Sequence, residues 1–125
     1  MLEVTQNPII PELIINRVRG DTNNGATVSF IGALRGQSAG GQQLRFAECE
    51  GDKQQLREIG DEVGDEIRTR WHLSDVSLCH RIGRIGVGEV ILVVAIAAPH
   101  RQEAFEACQY AVDRIKERIL IREVF

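Results

Sequence analysis

The stretch Glu-Val-Ile-Leu-Val-Val-Ala-Ile-Ala-Ala, residues 89 to 98, is the most hydrophobic part of the chain and decides its fold. An apolar run of this length is far too short to cross a bilayer. It is typical of a strand buried on both faces. Residues 99 to 120 follow with one apolar stripe at helical spacing, formed by Phe105, Cys108, Val112, Ile115 and Ile119. The pattern therefore predicts a central strand and a long helix packed next to it.

Two other segments have a clear period. Residues 26 to 34 alternate, which predicts a strand with Ala26, Val28 and Phe30 facing inward. Residues 52 to 71 predict a helix. Its apolar face consists of Leu56, Ile59, Val63, Ile67 and Trp71. Gly60 and Gly64 on this helix either weaken it or allow a neighbouring element to approach closely.

The remaining segments are shorter. We expect a short helix at 11–19, strands at 44–49 and 76–80, a turn at 81–88, and a mobile glycine-rich loop at 35–43. Because strands and helices mix without strict alternation, the sequence predicts an α+β fold with a mixed or antiparallel sheet and packed helices. The length of 125 residues suits a single compact domain spanning residues 1–125.

Composition narrows the class of function. A net charge of −3 argues against bulk nucleic-acid binding. The three cysteines, Cys49, Cys79 and Cys108, form no CxxC pair, so we expect reduced, packed cysteines and no metal or other cofactor. We also expect a cytoplasmic protein, because no targeting or membrane-spanning segment is visible.

Three cationic positions are candidates for binding an anion. His100 and Arg101 open the long helix, where free N–H groups and the helix dipole favour anions. The structural alternative for this pair is a capping or surface role. Arg35 follows the alternating strand in the glycine-rich loop, where it is either a phosphate contact or a solvated loop charge.

Lys116 lies at the edge of the buried stripe, between Ile115 and Ile119. The structural alternative is a lysine whose stem covers the core while its amine reaches solvent. The functional alternative is a partly buried amine that acts as acid, base or nucleophile. Lys116 is more than four helical turns from His100, so the two converge only if a loop or a partner subunit closes the gap. At the end of another strand, His80-Arg81 is expected to be structural.

Several segments together resemble a known family. Residues 25–35 (GATVSFIGALR), 80–83 (HRIG) with 87–89 (VGE), 98–108 (APHRQEAFEAC) and 113–116 (DRIK) resemble, in order and spacing, the large catalytic subunit of molybdopterin synthase. The resemblance implies an alpha/beta hammerhead-like fold. It also implies substrate binding by Arg35, His100 and Arg101, and catalysis by Lys116.

The same resemblance implies partners and a reaction. The large subunit of this family forms a homodimer, and each copy binds a small ubiquitin-like subunit, giving a heterotetramer. The small subunit carries a C-terminal Gly-Gly thiocarboxylate. Its sulfur is transferred to cyclic pyranopterin monophosphate, a small-molecule pterin substrate, to form the molybdopterin dithiolene.

This chain departs from the family pattern near its C-terminus. The family continues after the first lysine through a Pro-Ile-Trp-Lys-type segment with a second functional lysine, whereas here Glu123 takes that lysine's place. The departure leaves an alternative open. In that alternative the chain is a catalytically degenerate paralogue, a dimeric binding module for the small subunit or for a phosphorylated pterin.

Overall fold

The computed structural model describes residues 2–125 of the chain. In chain order the elements are β1 (Leu2–Thr5), α1 (Pro11–Asn16), β2 (Ala26–Ala33), β3 (Phe46–Cys49), α2 (Lys53–Trp71), β4 (Val76–Arg81), β5 (Gly83–Gly86), β6 (Val90–Ala98), α3 (Arg101–Arg118) and β7 (Arg122–Val124).

The strands form two sheets. The larger has the order β1-β4-β6-β2, in which β6 is antiparallel to both neighbours and β1 is parallel to β4. The smaller sheet, β5-β3-β7, is antiparallel throughout. Mixed and antiparallel sheets packed with three helices confirm the predicted α+β class.

Strand β6 is central because both of its faces are covered. Leu92 and Val94 point into the main core beneath α2 and α3, whereas Val93 packs on the opposite side with Ile14 of α1. A strand covered on both sides has no polar face to alternate with. The near-continuous apolar run therefore has its expected position.

Helix α2 begins with a capped turn, because the Asp52 carboxylate accepts a hydrogen bond from Gln54 N at 3.1 Å. Its predicted apolar face is confirmed: four members are buried, and Trp71 is half-buried. Gly60 permits a close approach, since a Cβ added there would lie 2.0 Å from Leu2 Cβ of β1.

The structure corrects the sequence prediction at two places. Phe105 is 60% exposed, and α3 instead packs on the sheet through the fully buried Ala104, Ala107 and Ala111. Small side chains let a helix lie close to its neighbours, so the larger residue points outward. The 81–88 segment is also more than a turn, because residues 83–86 pair with β3 as strand β5.

The cysteines are free and buried, as expected of packed thiols. None of the helices within residues 2–125 combines the length and apolar character needed to cross a membrane.

Candidate functional site

A narrow cavity opens between the end of α3 and strands β2 and β6. It has a volume of about 100 Å³. Its lining is Phe30, Gly32, Ala33, His80, Ile91, Leu92, Ile115, Lys116, Ile119 and Ile121. Lys116 and His80 are its two titratable side chains, and the rest of the wall is almost entirely apolar.

Lys116 is exposed, so the partial burial assumed in the functional alternative is wrong. Ile115 and Ile119 occupy the buried stripe, and the position after Ile115 is rotated away from it by the helical repeat. The amine Nζ lies 5.6 Å from the centroid of the Phe30 ring, which is within the range of a cation–π contact. The side chain therefore presents its amine at the mouth of the cavity.

The cations near Lys116 in sequence are paired elsewhere. Arg114 binds Glu66 and Glu117 with contacts of 3.2 and 2.9 Å. Arg118 binds Glu62 at 2.8 Å. Arg122 of β7 binds Glu48 and Glu50 at 2.9 and 3.5 Å. Lys116 has no such carboxylate partner within residues 2–125, which leaves its amine free to meet a ligand.

His80 is buried and forms part of the cavity wall. Its Nδ1 lies 2.6 Å from the carbonyl oxygen of Arg81 and 4.0 Å from Cys49 Sγ. Burial lowers the pKa of the imidazole, which opposes its protonation. The sequence predicted a structural role for this residue, but its place in the wall beside Lys116 was not predicted.

An ion pair between the buried Arg81 and the half-buried Glu89 supports the start of the Arg35 loop. Arg81 is 5% exposed and donates to Glu89 at 2.9 Å, and the other Glu89 oxygen accepts from Gly86 N at 2.6 Å. These donors lower the pKa of the Glu89 carboxyl. The backbone of the same turn holds Leu34 from both sides, through Leu34 N to Glu89 O at 2.9 Å and Gly88 N to Leu34 O at 2.8 Å. Arg35 therefore follows a residue whose backbone is fixed by two hydrogen bonds.

Arg35, His100 and Arg101 are all exposed. His100 is the N-cap residue of α3, but its side chain makes no capping hydrogen bond and instead lies 3.3 Å from Glu103. His100 therefore does not cap the helix with its side chain. The helix start keeps free N–H groups next to two basic side chains.

The candidate residues fall into two groups at opposite ends of the sheet. In the β2–β6 ladder Ala26 pairs with Ala98 and Ala33 pairs with Val90. Arg35 thus follows one end of β2, and His100 lies at the other, about 25 Å away at 3.3 Å per residue. The two ends of α3 are separated by a similar distance, about 22 Å between Arg101 and Lys116 at 1.5 Å per residue. Lys116 therefore lies at the Arg35 end.

The chain is therefore a small α+β protein with a lysine amine at the mouth of an apolar cavity and exposed cationic side chains that can bind an anion. The MoaE protein family model matches residues 4–118 of the chain. The chain is 38% identical to a molybdopterin synthase catalytic subunit of Thermoplasma volcanium, covering 96% of this chain and 86% of the relative. The chain belongs to the MoaE family, the catalytic subunits of molybdopterin synthase, which function in molybdenum cofactor biosynthesis.

Solved structures agree. A molybdopterin synthase of Staphylococcus aureus has a TM-score of 0.88 at 30% identity, covering 98% of this chain and 90% of that chain. A complex of subunits 1 and 2 of the molybdopterin-converting factor of Helicobacter pylori shares the fold, with a TM-score of 0.77 at 12% identity, covering 99% and 88%. The family assignment made from sequence is confirmed.

Proposed function

We propose that this chain transfers sulfur from a thiocarboxylated small subunit to cyclic pyranopterin monophosphate, forming the dithiolene of molybdopterin. The observation that carries the proposal is the Lys116 amine, exposed and without a carboxylate partner in residues 2–125, at the mouth of an apolar cavity. The solved complex of the two converting-factor subunits supports a small-subunit partner of this kind.

The chemistry needs positioning more than activation. A thiocarboxylate is already activated, so much of the acceleration comes from holding it against the substrate. Lys116 acts as acid, base or transient nucleophile at the acyl centre. The cavity wall beside the amine is apolar, formed in part by Phe30 and Ile119, and a low-polarity surface strengthens charge interactions next to it.

The anion site is assigned to Arg35, His100 and Arg101. Arginine forks suit phosphate, and the α3 N-terminus adds free N–H groups and the positive end of the helix dipole. Because Arg35 and His100 lie about 25 Å apart along β2 in one chain, one copy cannot place both on one phosphate.

A second copy of the chain would allow both groups to reach one phosphate. Strand β2 is an edge strand of the larger sheet. A two-fold axis near its middle would place the Arg35 and Lys116 end of one copy next to the His100 end of the other. Ile31 on β2 is 49% exposed and Phe105 on α3 is 60% exposed, which supplies apolar surface for such a contact. The proposed enzyme is therefore a homodimer in which each site uses both copies.

The missing second lysine does not remove the machinery described above. Glu123 of β7 pairs with Ala47 of β3, so the two side chains share a face of the smaller sheet. Ala47 is fully buried in the core. Glu123 itself is exposed and is not among the residues that line the cavity; by ungapped sequence count it takes the place of the family's second lysine. We propose that the chain is active with Lys116 alone.

Reconstitution tests the proposed function. The purified chain is mixed with thiocarboxylated small subunit and pterin precursor, and molybdopterin is quantified after oxidation to a fluorescent derivative. Formation of product at more than one turnover per site supports the proposal. Tight small-subunit binding without product would favour a binding module instead. A monomeric mass in light scattering at micromolar concentration would count against the dimer.

A further inference from the structure

His80 has no role in the function proposed above, although it lines the same cavity as Lys116. A histidine buried within a wall of phenylalanine, leucine and isoleucine is costly unless its nitrogens have partners. The contacts of its two ring nitrogens therefore determine what it can do.

The proton on the His80 ring can be assigned from geometry. A carbonyl oxygen only accepts hydrogen bonds, so Nδ1, which lies 2.6 Å from Arg81 O, is the donor. Burial lowers the pKa of the ring from its ordinary value near 6.5, which favours the neutral form. A neutral ring with a proton on Nδ1 has its lone pair on Nε2. His80 therefore brings a hydrogen-bond acceptor to the cavity wall.

No donor within residues 2–125 satisfies that acceptor. Both contacts of the ring, with Arg81 O and with Cys49 Sγ, involve Nδ1. Nε2 is not among the fully buried atoms without a partner, so it reaches open space, and water or a ligand in the cavity that His80 lines supplies its donor. The two polar groups of the lining thus complement a ligand that carries an N–H donor near an anionic end.

We propose that His80 Nε2 accepts a hydrogen bond from a backbone N–H of the thiocarboxylated tail, and so holds the last glycines of the tail against the Lys116 amine. This inference rests on the proposed function. A volume of about 100 Å³ is well below the roughly 300–1,000 Å³ of most small-molecule sites. It suits an extended glycine chain better than the rigid fused rings of a cyclic pyranopterin phosphate. The tail has the complementary groups: amide N–H donors and an anionic terminus.

Two substitutions separate the nitrogens of His80. The His80→Asn side chain can retain an N–H near the Nδ1 position, for Arg81 O, but has no atom at Nε2. The His80→Gln side chain reaches the Nε2 position with an amide oxygen. Cys49→Ala is the matched control, because its sulfur touches the ring at Nδ1 and is not part of the cavity lining.

The probes are the thiocarboxylated small subunit and the same subunit without its last two glycines. His80→Asn should fold and should bind the complete subunit about tenfold more weakly, the usual loss for one hydrogen bond. Its affinity for the truncated subunit should equal that of the wild type. His80→Gln should recover part of the loss, and Cys49→Ala should bind like the wild type. Equal affinity of His80→Asn and wild type for the complete subunit would overturn the inference.

A spectroscopic measurement decides the matter if the variants do not fold. In the wild-type chain labelled with ¹⁵N-histidine, the Nε2 resonance should shift when the complete subunit is added and stay in place with the truncated one. An Nε2 resonance unmoved by saturating complete subunit would refute the role of His80. If the wild type still makes molybdopterin in that case, the proposed function stands and only this inference fails.

Discussion

Replacing Lys116 by alanine should separate catalysis from folding. The side chain is exposed, and its identified interaction is the contact of Nζ with the Phe30 ring at 5.6 Å. Exposed cation–π contacts contribute about 0.5–1 kcal/mol. Alanine regains a few tenths through its higher helix propensity. The free energy of unfolding should therefore change by less than about 1 kcal/mol.

The effect on sulfur transfer should be far larger. Loss of a positioned acid or base typically costs about 10²–10⁴-fold in rate. Lys116→Arg should fail as well, because a guanidinium does not readily lose its proton. The chain has one other lysine, Lys53 at the start of α2, so Lys53→Ala is a matched control that should keep wild-type turnover.

The assay combines urea unfolding, affinity for the small subunit, and single-turnover formation of molybdopterin. We expect Lys116→Ala to match the wild type in the first two measurements and to lose the third. Wild-type turnover by this variant would refute the amine role. Lys116 would then be a residue whose stem covers the edge of the core.

Three further predictions concern substrate binding, packing and the missing lysine. Arg101→Ala should weaken precursor binding more than tenfold in calorimetry, since a charge-assisted contact contributes about 1.5–3 kcal/mol; unchanged affinity would remove Arg101 from the site. Gly60→Ala should destabilise the fold by about 1–3 kcal/mol in urea unfolding because its Cβ would meet Leu2 at 2.0 Å. Gly64→Ala is the matched control: the nearest contact of its added Cβ would be 3.6 Å away, so it should stabilise the helix by up to about 1 kcal/mol. Equal effects of Gly60→Ala and Gly64→Ala on the free energy of unfolding would contradict the close packing at Gly60. Glu123→Lys, which restores the family's second amine, should raise the single-turnover rate, and a lower rate would show that the carboxylate has a function of its own.

The sequence predicted the elements whose signal is local. Strand β6 and helix α2 have long, regular apolar patterns, and both were found with their expected faces buried. The three-residue strand β7 is too short to show a period. It exists because it pairs with β3 across more than seventy residues of chain, as in Arg122 with Glu48.

Phe105 shows the limit of periodicity. Its spacing places it near the apolar stripe, yet alanines make the contact with the sheet. The side chains that touch the neighbouring sheet depend on the distance between the two backbones. The spacing of apolar residues along a helix carries no information about that distance.

The candidate site was predicted only in part. The four residues came from motifs, and their separation into two ends followed once the β2–β6 register was known. The cavity itself could not be predicted, because its wall combines residues from β2, β4, β6, α3 and the segment before β7. His80 carried a weak signal, as a histidine at the end of an apolar strand.

The central claim is that each catalytic site draws Lys116 and Arg35 from one copy and His100 and Arg101 from the other. The direct measurement is molybdopterin formation by mixed dimers of Lys116→Ala and Arg101→Ala chains, refolded together in equal amounts. With the precursor well below its Kd, Arg101→Ala alone should keep less than about a tenth of the wild-type activity, and Lys116→Ala alone almost none. Half of the mixed dimers pair the two variants, and each of these holds one intact site of two, so activity should return to about a quarter of the wild-type value.

The control is a mixture of Lys116→Ala and Arg35→Ala chains. Both residues lie at the same end of one copy, so no mixed dimer contains an intact site, and activity should stay at the level of the separate variants. Recovery to about a quarter in the first mixture and none in the second is the predicted result. An inactive first mixture, or equal recovery in both, would contradict the shared site.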